Sequence, residues 1–430
     1  MITRIWILIG SLLLAVSSLH ADNWPNWRGP HHDGSNQVKN LPTDWSATKN
    51  MKWIAPMPGE SAATPIVWQD RVFVSSVDEQ TNNLLSICLD KSSGKVLWQK
   101  ESGQGGKIRW RHNEATPSPV TDGVRVYFYY GDGDLVCYDL DGKLIWSRNI
   151  QKDYETFAVQ FGYGTSPLLY DNRLYIQVLQ RNTPSESGQP RESYLLAIDP
   201  KSGEDLWKHV RPSDAVRESF EAYTTPTPYE GNGRKEIIIH GGDYTTGHDA
   251  ATGNELWRWG SYNPRKITSW RMVPSAVTGG GNVYVSAPKR APLYAIAGGA
   301  TGRMNLDQAA WTFAEYPTDV CTPLFYNNRL YVLDGDRNVM NCLDPKSGKS
   351  IWSGQLGGQT VYRSSPTGGD GKIYLMNEEG LVIVLDASGD AFKELNRIEM
   401  GEGPCRSSIS LVDGFLFIRT AKNLYCVSNN

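Results

Sequence analysis

The chain has 430 residues and a net charge of −3, so it lacks the basic excess that a nucleic-acid-binding surface would need. Its 42 glycines, 15 tryptophans and 21 tyrosines, against only 8 methionines, favour an all-β fold with many turns over a helical one.

Residues 1–21 have the three parts of a secretory signal: Arg4, an apolar run over 5–16, and small residues before Asp22. The run is shorter than the roughly 20 residues that span a bilayer. We expect a signal peptide cleaved after Ala21, with Ser18 as the alternative. The protein is then exported, periplasmic or secreted, and not an integral membrane protein. No cysteine follows the run, so lipid attachment is not available.

Residues 22–50 form an arm rich in Trp and Pro that lacks any periodicity. It contains Trp24, Trp27 and Arg28, followed by His31, His32 and Asp33. Such a segment predicts an irregular strap that packs its tryptophans onto a larger body.

Residues 51–430 consist of repeats, five of which carry the frame Asp-x-x-x-Gly-x-x-x-Trp or a version one residue shorter. The frame predicts a β-hairpin whose Gly closes the turn and whose Trp is buried between neighbouring sheets. Its copies are Asp90, Gly94, Trp98; Asp139, Gly142, Trp146; Asp199, Gly203, Trp207; Asp249, Gly253, Trp257; and Asp344, Gly348, Trp352.

Eight unit openings precede short apolar strands, most of them at a Ser-Pro or Thr-Pro step, and they recur roughly every 50 residues, as propeller blades do. The openings are Thr64, Ser118, Ser166, Thr225, Val273, Thr322, Ser365 and Ser408. The eighth unit stops after three strands, and the Trp-centred segment 51–55 has the character of the missing one. We therefore predict an eight-bladed propeller of four-stranded antiparallel blades in which the N-terminal strand closes the last blade. The fifth unit carries an insertion after Gly302, and the seventh has no Trp.

These repeats resemble the pyrroloquinoline-quinone (PQQ)-like family, which includes the eight-bladed quinoprotein dehydrogenases and the outer-membrane assembly factor BamB. The arm over 24–34 also looks like the start of many uncharacterised exported propellers. In such dehydrogenases the resemblance implies PQQ, a calcium ion, a catalytic Asp and a vicinal Cys-Cys pair. This sequence has no adjacent cysteines, and no calcium or base residues can be matched to it. We expect no cofactor and no catalytic or metal-binding residue, with PQQ and calcium as the alternative.

Six cysteines in an exported chain raise the question of disulfides. Four of them share one register position in different blades: Cys88, Cys137, Cys342 and Cys426. The Cα atoms of equivalent positions in different blades should be too far apart for a disulfide. Cys321 and Cys405 precede inner strands of blades that are not neighbours. Both are expected to be free thiols near the channel.

The segments before the inner strands should converge on one channel mouth, where propellers present binding sites. Arg271, Arg363 and Arg406 stand at one register, three residues before the proline position, and can bind a carboxylate, sulfate or phosphate. The alternative is that each pairs with a nearby acid. The predicted mouth residues are Arg109, Trp110, Arg111, His112, Glu114, Tyr163, Tyr223, Trp270, Arg271, Asp319, Tyr362, Arg363 and Arg406.

His240 and His248, with Asp243 between them, and the His31-His32-Asp33 run can each be weighed as metal ligands. Neither has the spacing of a recognised site, so packed or surface histidines are expected.

The function expected is that of a monomeric, non-catalytic scaffold that binds a protein or peptide partner in the cell envelope, or an anionic ligand. Work like that of an outer-membrane assembly factor is the nearest precedent. The alternatives are a PQQ and calcium dehydrogenase and a polysaccharide-active enzyme that uses the charged mouth.

Overall fold

A computed structural model describes residues 23–106, 113–412 and 414–429 of the chain. Its strands form eight separate sheets, and consecutive sheets touch through their innermost strands. The predicted eight-bladed propeller is therefore confirmed. Among the described residues no helix has the length and apolar character needed to cross a membrane.

In every blade the first strand borders the channel and later strands lie progressively further out. Strand β1 (Met51–Pro56) comes first in the chain. Blade 1 contains β2 (Ile66–Trp68), β3 (Arg71–Val77), β4 (Asn83–Asp90) and β5 (Val96–Gln104). Blade 2 contains β6 (Val120–Thr121), β7 (Arg125–Tyr129), β8 (Asp134–Asp139) and β9 (Leu144–Asn149). Blade 3 contains β10 (Leu168–Tyr170), β11 (Arg173–Val178), β12 (Tyr194–Ile198) and β13 (Asp205–Val210). Blade 4 contains β14 (Thr227–Gly231), β15 (Arg234–Gly241), β16 (Tyr244–Asp249) and β17 (Glu255–Gly260).

The second half of the ring follows the same plan. Blade 5 contains β18 (Val277–Gly279), β19 (Asn282–Ser286), β20 (Leu293–Ala297) and β22 (Trp311–Phe313). Blade 6 contains β23 (Leu324–Tyr326), β24 (Arg329–Asp334), β25 (Val339–Leu343) and β26 (Ser350–Gln355). Blade 7 contains β27 (Thr367–Gly369), β28 (Lys372–Met376), β29 (Leu381–Asp386) and β30 (Glu394–Glu399). Blade 8 contains β31 (Ser410–Val412), β32 (Phe415–Arg419) and β33 (Asn423–Ser428). The described helices are α1 (Ile150–Asp153) and two 3-10 turns, Arg217–Phe220 and Leu306–Gln308.

Strand β1 supplies the fourth strand of blade 8, as predicted. It pairs antiparallel with β33, with Trp53 opposite Cys426 and Ala55 opposite Leu424. The two ends of the propeller are thereby held in one sheet, which leaves no blade incomplete.

In five blades the Trp of the outer strand bonds to the repeated turn of the next blade. The indole Nε1 of Trp98 donates to the Leu140 carbonyl at 3.0 Å, and that of Trp146 donates to the Pro200 carbonyl at 3.0 Å. Trp53, Trp207 and Trp311 make the equivalent bond to the blade that follows each of them. The frame thus contributes to the contact between blades as well as to the hairpin within each blade.

A closed ring of hydrogen bonds runs around the channel where the inner strands begin. In each blade a backbone N–H donates to a Ser or Thr hydroxyl of the next blade, at 2.8–3.2 Å, and Ser408 donates to Thr64 to complete the circle. We call these eight residues the hydroxyl ring: Thr64, Ser118, Ser166, Thr225, Ser275, Thr322, Ser365 and Ser408.

The hydroxyl ring corrects the predicted opening of blade 5. Ser275, and not Val273, occupies the ring position, because the N–H of Thr225 donates to its hydroxyl and its own N–H donates to Thr322. Pro274 precedes the ring residue, whereas the other opening prolines follow it. The alignment on proline was therefore wrong by two residues in this blade.

The insertion in blade 5 adds a fifth strand to blade 4. Strand β21 (Gly302–Met304) pairs in parallel with β17, placing Gly302 opposite Trp257 and Met304 opposite Trp259. Trp257 and Trp259, whose backbones pair with this strand, are buried. The outer edge of one blade is thus occupied by a strand from outside its own repeat.

The arm crosses the far ends of the inner strands and closes that end of the channel. Trp24 forms a bridge with Val67, and Ser35 forms one with Gly368. The buried Arg28 donates to the carbonyls of Pro323 at 2.8 Å and Pro366 at 3.1 Å. The predicted strap is therefore an inserted plug, held by its own backbone and by one arginine.

All six cysteines are buried free thiols. Burial raises the pKa of the Cys321 thiol to about 12. These side chains pack as small apolar groups within and between blades.

Candidate functional site

A cavity of about 440 Å³ occupies the channel on the side where the segments before the inner strands converge. Six members of the hydroxyl ring border it: Ser118, Ser166, Thr225, Thr322, Ser365 and Ser408. Trp27 of the arm also lines it, because the plug reaches the channel from the opposite end. We call this cavity the funnel, with Trp27 of the arm among its lining residues.

Three arginines line the funnel, and each has an acidic neighbour. Arg363 contacts Asp336 at 2.7 Å, and Arg406 contacts Glu378 at 2.8 Å. Arg271 lies 3.7 Å from Glu218, and its guanidinium is 5.5 Å from the centre of the Phe161 ring. The arginines thus converge on one cavity and also pair with acids.

Their register differs from the predicted one. Counted from the hydroxyl ring, Arg363 and Arg406 stand two residues before Ser365 and Ser408, whereas Arg271 stands four residues before Ser275. Val273 is the true equivalent of Arg363 in blade 5. The expectation of one shared register was wrong for Arg271, for the same reason that misplaced the opening of blade 5.

Aromatic groups form one wall of the funnel. The Tyr223 hydroxyl donates to Glu221 at 2.6 Å, and the Tyr223 ring lies 6.2 Å from that of Phe161. Glu221 is fully buried and pairs with Arg181. Burial and the neighbouring Glu221 carboxylate raise the pKa of Tyr223. This phenol therefore stays neutral and acts as a hydrogen-bonding wall.

The structure brings five predicted mouth residues to the funnel and places the other described ones elsewhere. Tyr223, Arg271, Asp319, Arg363 and Arg406 line it. Tyr163 and Tyr362 are buried in the cores of blades 2–3 and 6–7. Trp270 packs beside the core of blades 4 and 5. Their positions before the inner strands predicted that these three would face the channel mouth, but they pack in or against the cores instead. Arg109, Trp110, Arg111 and His112 lie outside the described residues.

Glu114 borders a second, separate cavity of about 330 Å³ between blades 1, 2 and 3. It accepts a hydrogen bond from the Gly106 N–H. Asp132 lines the same cavity, and burial, with the carboxylates of Asp134 and Glu114 nearby, raises the pKa of Asp132 to about 8.

Two of the histidines considered as metal ligands, His240 and His248, are packed. His240 bonds to Thr245 and to the Ser286 carbonyl, each at 2.9 Å, and His248 bonds to Gly253 and Thr246. Both rings have both nitrogens occupied. Burial lowers the pKa of His240 to about 4 and that of His248 to about 3.

The funnel's donor set does not fit a calcium ion, which takes six to eight oxygen ligands. The carboxylates on its wall are Asp319, whose Oδ1 accepts the Lys289 N–H, and Glu378, which pairs with Arg406. Among the described residues no group of three His, Cys, Asp or Glu side chains is placed to hold a metal. PQQ held through calcium is therefore not supported by these side chains.

Two features of the site were not predicted from the sequence: the position of Trp27 in the funnel lining and the hydroxyl ring. Trp27 sits in the arm, far along the chain from the repeats, and local sequence does not show that the arm enters the channel. The sequence does carry a pattern for the hydroxyl ring, the repeated Ser or Thr before proline. This pattern marks the blade openings, and a hydrogen-bonded ring was not inferred from it.

The outer edges of blades 1, 2 and 3 expose aliphatic side chains immediately before the repeated Trp. Leu97, Ile145 and Leu206 are 51%, 43% and 47% exposed, and we call these three the edge patch. In blade 4 the equivalent Leu256 is half-buried and packs with Met304 and Leu306 of the insertion against the same core. The edge patch thus marks outer strands that have no such cover.

Solved structures share this fold at low sequence identity. A BamB from Moraxella catarrhalis superposes with a TM-score of 0.59 at 12% identity, covering 88% of this chain and 99% of the other. A europium-containing methanol dehydrogenase superposes with a TM-score of 0.69 at 10% sequence identity, covering 94% of this chain and 91% of the other. A quinohemoprotein alcohol dehydrogenase from Comamonas testosteroni superposes with a TM-score of 0.66 at 11% sequence identity, covering 95% of this chain and 80% of the other. At these identities the likeness shows the fold alone.

Curated proteins give no significant sequence match. The family model described as outer membrane protein assembly factor BamB, by contrast, matches this chain over residues 39–153, 87–312 and 241–397. These overlapping matches span most of the propeller, and the chain belongs to this family.

Proposed function

We propose that this protein is an exported, non-catalytic scaffold of the cell envelope that binds an extended segment of a partner protein. The chain belongs to a family whose model is described as outer membrane protein assembly factor BamB, and this description supports a scaffold in the cell envelope. The signal-like sequence at residues 1–21 supports export.

The observation that carries the proposal is the pairing of β21 with β17. An outer strand of a blade presents unpaired backbone N–H and C=O groups, and another chain segment can add to such an edge. In blade 4 the protein's own insertion does so, and Trp257 and Trp259 are buried.

The edge patch offers the same geometry without the cover. Leu97, Ile145 and Leu206 stand on β5, β9 and β13 at the position of Leu256 on β17. Burying one such side chain contributes roughly 1.5–3 kcal/mol. A partner segment that pairs with one of these strands and carries aliphatic residues gains both backbone hydrogen bonds and apolar contact.

The experiment replaces Leu97, Ile145 and Leu206 together by Glu and compares partner binding in the cell envelope with that of the unaltered protein. Val124→Glu is the matched control, because Val124 is an exposed aliphatic residue in the turn before β7 and lies on no outer strand. We expect the triple variant to lose the partner and the control to keep it. Equal retention by both variants contradicts the proposal.

The competing function, a PQQ and calcium dehydrogenase, has its own discriminating measurement. Protein reconstituted with PQQ and calcium is examined for stoichiometric uptake by absorbance and for dye-linked alcohol oxidation. The scaffold proposal expects neither, since the funnel carboxylates Asp319 and Glu378 are already engaged. Stoichiometric uptake with turnover overturns it.

A further inference from the structure

Strand β13 of blade 3 is a copy of β17 of blade 4 that has no covering strand. Both strands pair with the third strand of their own blade in the same register, with a β-bulge at the same place, so that Trp207 corresponds to Trp257. Strand β21 lies on the outer side of β17, whereas within the described residues no strand pairs with the outer side of β13. An outer edge of this kind presents backbone groups to which another chain segment can add.

Blade 3 also shares with blade 4 a cation stacked on a tyrosine beside this edge. Lys208 lies 4.6 Å from the centre of the Tyr194 ring, and Arg258 lies 5.0 Å from that of Tyr244. The corresponding position on β5 and β9 is uncharged. Because β21 pairs beside Arg258 in this pose, a stacked cation leaves room for an added strand. Among the strands of the edge patch, β13 is therefore the one most like the strand that already accepts another.

The covering strand of blade 4 fixes the direction in which a segment adds. Strand β21 runs parallel to β17 and places Met304 opposite Trp259. A segment that adds to β13 in the same way runs from the level of Leu206 toward the level of Val210. Antiparallel pairs outnumber parallel ones two- to three-fold in proteins, so this direction is a specific expectation.

Two exposed aliphatic residues near the ends of β13 set the side chains that a partner needs. Leu206 and Val210 are 47% and 41% exposed, whereas at the corresponding positions of β17 Leu256 is half-buried and Gly260 is buried. A segment added to β13 removes both aliphatic side chains from water when it carries aliphatic residues near both ends of its own paired stretch.

We propose that β13 accepts, by parallel strand addition, an extended segment of a partner protein that carries aliphatic residues near both ends of its paired stretch. The proposal rests on the scaffold function proposed above. It adds to that function the blade that binds, the direction of the bound segment and the side chains by which the segment is recognised.

Photocrosslinking of a synthetic peptide tests the direction and the place. The probe is Thr-Val-Thr-Ser-Thr-Val-Thr with blocked ends and a benzophenone group at either its first or its last residue. We expect saturable crosslinking with half-saturation at about 1 mM or below. The benzophenone at the first residue should mark residues 203–206, and that at the last residue should mark residues 210–213. Reversal of these two places, or crosslinks on β17 through displacement of β21, overturns the proposal.

Variants of the protein and of the peptide test the recognition. Leu206→Glu combined with Val210→Glu should reduce crosslinking at least about tenfold, and so should replacement of both valines of the probe by serine. Val124→Glu is the control, since Val124 is exposed but lies in a turn, and near-ultraviolet circular dichroism confirms that each variant keeps its tertiary packing.

The absence of saturable crosslinking, equal crosslinking of the serine peptide, or full crosslinking of the double variant also overturns the proposal. If the probe fails while the edge patch still captures a partner from the cell envelope, the inference about β13 falls and the scaffold function stands. If the edge patch captures no partner, the scaffold function itself falls.

Discussion

Trp98 of blade 1 lies directly on Gly142 in the turn of blade 2. A Cβ built on Gly142 would stand 2.7 Å from the indole ring, and the Gly142 φ of +82° favours glycine. The same contact joins Trp53 to Gly94, Trp146 to Gly203, Trp207 to Gly253 and Trp311 to Gly348. The Gly of one blade and the Trp of its neighbour therefore meet across each of these blade boundaries. A larger side chain in place of the Gly would overlap the indole ring.

Gly142→Ala should lower the free energy of unfolding by about 2–4 kcal/mol, since it combines backbone strain with overlap against the indole. Gly281→Ala is the matched control, because Gly281 has a φ of +83° and no atom within 4 Å of an added Cβ. Gly281→Ala introduces the backbone strain alone and should lower the free energy of unfolding by about 1–2 kcal/mol. Urea unfolding measures both. Equal losses would show that the tryptophan contact contributes nothing.

Arg28→Ala should loosen the plug. Arg28 is buried, burial lowers its pKa to about 10, and its guanidinium bonds to the carbonyls of Asp33, Pro323 and Pro366. Removing these bonds should cost about 3 kcal/mol and release the arm to proteases. Limited proteolysis, read by the rate at which the 23–50 segment is cut, checks this. Arg337→Ala should leave that rate unchanged, and an unchanged rate for Arg28→Ala as well would contradict the plug.

Asp132 predicts how stability depends on pH. Its pKa rises in the folded protein from 3.8 to about 8, so the folded state keeps a proton that the unfolded chain gives up. Stability from this group is therefore present below about pH 4 and is lost as pH rises toward 8. Asp132→Asn keeps the acceptor for the Asp134 N–H and cannot ionise. Its unfolding midpoint should exceed that of the unaltered protein by a few degrees at pH 8 and match it at pH 4.

Asp307→Asn controls for the loss of a surface charge, because Asp307 is exposed. Thermal unfolding followed by circular dichroism at both pH values gives the comparison. A shift of equal size at pH 4 and pH 8 for Asp132→Asn would show that ionisation of Asp132 has no part in it.

Much of the fold could be predicted because most blades repeat the same turn and the same Trp. The spacing of Asp, Gly and Trp is local, so it shows in sequence wherever it recurs, and the unpaired Trp53 strand indicated ring closure. The exceptions arise from contacts between distant parts of the chain. Pro274 imitates an opening proline, and only the bonds of Ser275 to blades 4 and 6 reveal the true register.

The candidate site was harder to predict for the same reason. Arg363 and Arg406 stand at one register and were found together, whereas Trp27 reaches the funnel from the arm, about 240 residues from Arg271. Tyr163 and Tyr362 share the aromatic character of Tyr223 but fill cores between blades. Whether such a side chain faces the channel depends on which neighbouring blade has room for it.

The central claim, that the outer edges of blades 1 to 3 bind a partner's extended segment, is tested most directly by photocrosslinking from the edge patch. A photoreactive residue at 97, 145 or 206 is compared with one at 124, in the turn before β7, and the crosslinked peptide is identified by mass spectrometry. The scaffold account predicts one recurring apolar segment of a single envelope protein, captured from the edge patch and not from position 124. Equal capture from position 124, or no crosslink from any of the three patch positions, would contradict it.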